Sequence, residues 1–164
     1  MNLPSISNMT PKTLIRALGQ FLFYWLPVIL WLAIIYVLSN QPSVPHPGRK
    51  IGLSDYVVDY TAHALTFGFL TLLLWRALRT WRGWRDSFRP LLGAGLLAAL
   101  YALSDEIHQS FVPGRTASAK DWLADTIGIL VMCALLALWQ RWRARHKAGK
   151  AARSILTRDE AAGS

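Results

Sequence analysis

Long apolar runs alternate with short polar ones along this chain, at a spacing that predicts four membrane-crossing helices. Residues 18–38 carry no charged side chain. At about 1.5 Å per residue, a helix of that length covers a hydrocarbon core of about 30 Å. Three further spans are predicted over 57–78, 88–108 and 121–142, each polar at one end. The first run extends beyond a signal-peptide core without a small-residue cleavage site, so it reads as a retained helix. Pro27 inside it should kink the helix and free a carbonyl that a neighbouring helix or water must satisfy. The expected fold class is therefore all-α, a polytopic four-helix transmembrane bundle over 18–142. A cytoplasmic segment, 1–17, precedes it. A basic tail, 143–164, follows and is expected to be disordered, because its end is polar and poor in aromatics. Pro42, Pro45 and Pro47 predict a stiff, non-helical loop from Gln41 to Gly48.

Composition agrees with lipid as the solvent. Hydrophobic residues make up 53% of the chain and charged ones 16%, too few to cover a water-facing surface around so much apolar side chain. Of the eight Trp, six (Trp75, Trp81, Trp84, Trp122, Trp139 and Trp142) are expected to anchor the interfaces. The one cysteine, Cys133, lies in an apolar run and reads as a packing residue. The net charge of +9 is not a nucleic-acid signal, because its distribution follows the spans. Lys12 and Arg16, then Arg76, Arg79, Arg82, Arg85 and Arg89, then Arg141, Arg143, Arg145, Lys147, Lys150, Arg153 and Arg158 all fall on one side. Only Arg49, Lys50, Arg115 and Lys120 fall on the other. The positive-inside rule then places both termini in the cytoplasm.

Acidic residues divide the opposite way, with Asp55, Asp59, Asp105, Glu106, Asp121 and Asp125 on the outer side. Asp59 and His63 are four apart and share a helix face; Asp105 shares one with Tyr101, His108 and Gln109, and Asp121 with Asp125 and Gly128. The charge-free parts of the third and fourth spans are only roughly fifteen residues long, so hydrocarbon should reach Asp105 and Asp125. Carboxylates at that depth need partners, and His63, His108 and Arg115 are the natural ones. Together these groups are expected to line a partly wet cleft open to the outer surface. Blander roles compete at some positions. Ser118 and Asp121 have capping-box spacing, Glu106 lies on another face from Asp105 and could be a solvated end charge, and His63 could be an ordinary interhelical hydrogen-bonding residue. The cluster could hold a divalent metal, act as an acid–base pair or grip a polar headgroup. No spacing matches a zinc motif, and no other cofactor is implied.

Several motifs carry a family resemblance. Ser39-Asn40-Gln41, Asp59 with His63 and Phe67, the run Ser104-Asp105-Glu106-Ile107-His108-Gln109, then Phe111-Val112-Pro113-Gly114-Arg115, and Asp121 with Gly128 resemble the VanZ-like family over about residues 20 to 140. The resemblance implies an integral protein of the bacterial cell envelope, in the cytoplasmic membrane. The family is named for a member that lowers susceptibility to the lipoglycopeptide teicoplanin, and it implies a phenotype and a place more than a reaction. Asp59, His63, Asp105, Glu106, His108, Gln109, Arg115 and Asp121 carry over as site residues. Asp125 stands where many relatives have Asn.

The favoured reading is a binding protein whose cleft holds a membrane lipid or lipid-linked envelope headgroup. Arg115 would contact an anionic group, and Asp105 and His108 would orient it. An alternative is a hydrolase or transferase acting on a lipid-linked substrate, with His108 as base, Asp105 orienting it and Glu106 a further catalytic candidate; no GxSxG elbow accompanies them. A proton-coupled carrier or a structural partner protein is a third class. Four helices leave little room for alternating access without an oligomer.

Overall fold

The computed structural model describes residues 10–42, 54–81, 83–85, 87–115 and 118–162. Most of the proline-rich loop, Arg49, Lys50, Arg82 and nearly all of the segment before α1 lie outside the described residues. The described secondary structure is all helix joined by turns, and four helical stretches are long and apolar enough to cross a membrane: Pro11–Ser39, Tyr56–Leu78, Arg89–Gln109 and Ala119–Lys150.

The first stretch is two helices, α1 (Pro11–Tyr24) and α2 (Leu26–Ser39), separated at Trp25. Thr10 caps α1, its hydroxyl accepting the Thr13 N–H at 3.4 Å. Pro27 in the first turn of α2 explains the break, since it has no N–H to offer Phe23 four residues back. Arg76 of α3 (Asp55–Leu78) fills the vacancy, donating from Nη2 to the Phe23 carbonyl at 3.0 Å. Its guanidinium also lies over the Phe23 ring, 4.3 Å from the centroid. The kink and the need for a donor follow from the sequence; the donor's identity comes from the packing.

Ser54 caps α3 through its hydroxyl, and α4 (Arg89–Gln109) begins with Pro90 in its first turn. Ala94, Ala98 and Ala102 recur every fourth residue of α4 and are completely buried, so this face lets neighbouring backbones come close. The outward faces carry Leu65, Leu92, Leu96, Leu130 and Leu138, as expected of surfaces solvated by lipid. None of the residues of α1 is buried.

Two expectations are corrected. In place of the disorder expected of the basic tail, α5 (Ala119–Ala162) continues through its described part, 143–162. No Pro or paired Gly interrupts this stretch, and Ala, Arg, Lys and Gln are strong helix formers that propagate an already nucleated helix. Trp75 is not an interfacial anchor; it is buried, edge-to-face with Trp139 at 5.5 Å between centroids. Trp81, Trp122 and Trp142 remain exposed.

Candidate functional site

The acidic end of the bundle is organised by a close crossing of α3 and α5. A Cβ on Gly128 would overlap the Ala64 carbonyl, and one on Gly68 would lie 3.2 Å from the Gly128 oxygen. Only hydrogen at these positions lets the two backbones touch. The crossing brings His63, beside Ala64, against Asp125, three residues before Gly128. His63 Nδ1 and Asp125 Oδ1 are 2.9 Å apart. Asp125 is 1% exposed, so its carboxylate depends on this contact. An ionised Asp125 makes Nδ1 the donor and leaves Nε2 for other contacts.

A second polar knot joins α2 and α4. Asp105 Oδ2 accepts from the Ser39 hydroxyl at 2.9 Å and from Gln109 Nε2 at 2.9 Å, and Gln109 Nε2 also approaches Ser39 Oγ at 3.4 Å. All three residues are buried, and Gln109 Oε1 has no partner among the described residues. One turn deeper, the Tyr101 hydroxyl donates to the Leu32 carbonyl at 2.9 Å. The sequence motif supplied Asp105 and Gln109; Ser39 was missed as their partner. Its signal is that it is a hydroxyl closing the first apolar run, at the depth of the acidic cluster.

The connection between α4 and α5 turns at Gly114, whose φ of +84° suits glycine at the third position of a Pro-Gly turn closed by Arg115 N–H to Val112 O at 3.1 Å. The turn sends Arg115 back over α2. Its Nη1 lies 3.3 Å from the Leu38 carbonyl and 3.4 Å from that of Gln41. Arg115 therefore satisfies backbone acceptors where α2 ends, a role the sequence does not reveal. Glu106 likewise has a definite task. Its carboxylate accepts the Ser118 N–H at the start of α5. In a capping box Asp121 would take that hydrogen bond. Here a carboxylate from the preceding helix has it, and the Ser118 hydroxyl accepts from Lys120 N at 3.3 Å.

Between these knots lies a cavity of about 490 Å³ whose polar wall comprises Ser39, Asp59, His63, Thr66, Asp105, Gln109, Arg115 and Asp121. Ile35, Leu38 and Phe67 supply an apolar side. The cavity thus gathers most of the residues singled out from sequence, with Asp125 behind His63. Glu106 and His108 are not among the lining residues. His108 packs against the Tyr36 ring, tilted by 33° at 5.0 Å between centroids, and its buried Nε2 has no partner among the described residues. The pairing of Asp105 with His108 expected from their shared face gives way to Asp105 with Ser39 and Gln109, and His63 with Asp125. Among the described residues, no group of three His, Cys, Asp or Glu side chains is placed to hold a metal ion.

No curated protein and no solved structure matches the chain. The family profile described as VanZ/LLP1 matches residues 21–140, from within α1 through the apolar part of α5, and so includes every residue of the cavity wall. This multi-pass membrane protein belongs to the VanZ/LLP1 family.

Proposed function

We propose that the cavity at the acidic end binds the polar headgroup of a membrane lipid or lipid-linked envelope component, with the cavity facing the outer side of the bacterial cytoplasmic membrane. The observation that carries this reading is the composition of the cavity wall. Three carboxylates (Asp59, Asp105, Asp121), a histidine and an arginine meet beside an apolar face, at the end of a bundle whose sides are lipid-like. Carboxylates and the unpartnered Gln109 Oε1 favour a headgroup rich in hydroxyl or ammonium donors. Arg115 offers its remaining donors to an anionic group on the same ligand, while its Nη1 stays on the α2 carbonyls. By occupying such a headgroup, the protein would lower the access of a lipophilic glycopeptide such as teicoplanin to it.

Native mass spectrometry of the gently extracted protein tests the reading. A lipid-mass adduct should be retained by wild type and by Ser110→Ala, and lost from Asp121→Ala and Gln109→Leu. Equal retention in all four would move the ligand elsewhere. Raised teicoplanin tolerance on expression, absent with Asp121→Ala, would tie binding to the phenotype.

A hydrolase or transferase acting on the same class of substrate is the second reading, and one observation favours it. His63 lines the cavity while Asp125 holds its Nδ1, the base-and-orienter arrangement of general acid–base catalysis. Under this reading the base is His63, in place of His108. Under it, His63→Gln keeps the adduct and abolishes its turnover.

A further inference from the structure

The opposite end of the bundle carries a second, differently built recess. Two cavities, about 460 Å³ and about 570 Å³, adjoin there, and Arg79, Arg85 and Arg143 line both. The first adds Arg141, Lys147, Phe88 and Trp139, and the second adds Arg76, Trp75 and Trp81. Two of the guanidiniums pack on indole rings. Arg79 Nε donates to the Arg85 carbonyl at 3.2 Å, its guanidinium lies 4.6 Å from the Trp75 ring centroid, and Arg143 lies 4.7 Å from that of Trp139. Stacking on an aromatic face engages the flat face of a guanidinium and fixes its orientation in the wall. The indole N–H of Trp75, buried and in the wall of the second cavity, has no partner among the described residues.

Arginines that only set topology need no shared cavity and no aromatic support. We propose that this recess is a specific site for an anionic membrane lipid whose headgroup carries two phosphates, one in each cavity, with Arg79, Arg85 and Arg143 between them. Two features favour this ligand. The paired cavities share one cationic wall, which a single phosphate would half use, and the bundle's apolar flanks lie directly beside it to take acyl chains. The site is independent of the acidic-end cavity.

The test uses the full-length protein in neutral detergent, titrated with a bis-phosphate lipid (cardiolipin), a mono-phosphate lipid (phosphatidylglycerol) at equal total charge, and inorganic pyrophosphate, followed by native mass spectrometry and tryptophan fluorescence. Cardiolipin should bind more tightly than phosphatidylglycerol. Arg85→Gln changes a side chain whose only described role is in the cavity wall, and should weaken cardiolipin about fivefold. Arg85→Gln with Arg143→Gln should weaken it about thirtyfold and abolish the preference. Arg145→Gln, an exposed arginine outside both walls, should change nothing. Equal affinity of wild type for the two lipids, or unaltered cardiolipin binding by Arg85→Gln, overturns the proposal. Displacement of cardiolipin by pyrophosphate at comparable concentration would overturn the lipid assignment in favour of a soluble diphosphate.

Discussion

Asp125 shows how much rests on single contacts at this depth. It is the most buried carboxylate described, and His63 is its partner. Replacing it with Ala leaves His63 Nδ1 without an acceptor and opens a small void, which should cost about 1–2 kcal/mol, near the upper range for interhelical hydrogen bonds in membranes. Asp125→Asn retains an acceptor and should cost less. Thermal unfolding in detergent checks the order; an Ala variant as stable as wild type would show that the pair contributes nothing. Glu106 offers a contrasting prediction. Glu106→Ala frees the Ser118 N–H, so amide exchange should rise in the first turn of α5 while the cavity ligand is retained. Loss of the ligand would return Glu106 to the binding set. At this scale the sequence disclosed which residues matter better than whom they touch. Same-face spacing correctly grouped Asp105 with Gln109. It also suggested Asp105 with His108, which the rotation of α4 turns onto Tyr36. Partners across helices depend on crossing geometry, which no spacing within one helix encodes.

That geometry is set by elements, chiefly the contact of α3 with α5. The glycines predict a graded series. Gly128→Ala must push Ala64 and its helix away, so it should lower stability sharply and part His63 from Asp125. Gly68→Ala meets the Gly128 oxygen at 3.2 Å and should be milder. Gly19→Ala meets nothing within 4 Å and should be neutral or slightly stabilising through helix propensity. Three equal effects on melting temperature would show that the crossing is not tight. A second element-scale prediction concerns the kink. If Arg76 serves the carbonyl that Pro27 abandons, the cost of Arg76→Gln should fall when Pro27→Ala restores a backbone donor, by about 1 kcal/mol in a double-mutant cycle. Additive effects would confine Arg76 to its aromatic contacts. Apolar runs placed the second and third spans to within a residue, because the bilayer dictates their lengths, whereas the first stretch starts well before 18 and the fourth runs well past 142, where polar helix extends the apolar run. The helical tail was misjudged because polarity alone does not stop a helix that a membrane span has already nucleated.

At the scale of the molecule, the two ends are chemical opposites. Carboxylates and histidines collect at one, and arginines and tryptophans at the other. A bundle of this kind has an electrostatic preference for one orientation, since cationic segments resist translocation while acidic residues contribute little. Four spans then return the chain to the side on which it began. In a Cys133→Ala background, Ser110→Cys reports the acidic end, and Thr10→Cys and Arg145→Cys report the other; all three positions are exposed. A membrane-impermeant maleimide applied to spheroplasts should label Ser110→Cys at once, and should reach Thr10→Cys and Arg145→Cys only after permeabilisation. The reverse pattern would turn the acidic cavity toward the cytoplasm, where it could not compete with an external glycopeptide for a headgroup, and would leave the arginine recess facing the outer leaflet. Labelling of Thr10→Cys and Arg145→Cys from opposite sides would mean that one of the four apolar stretches does not cross. The first stretch would be the one to suspect, because α1 buries none of its residues and the break at Trp25 would let it lie along the surface.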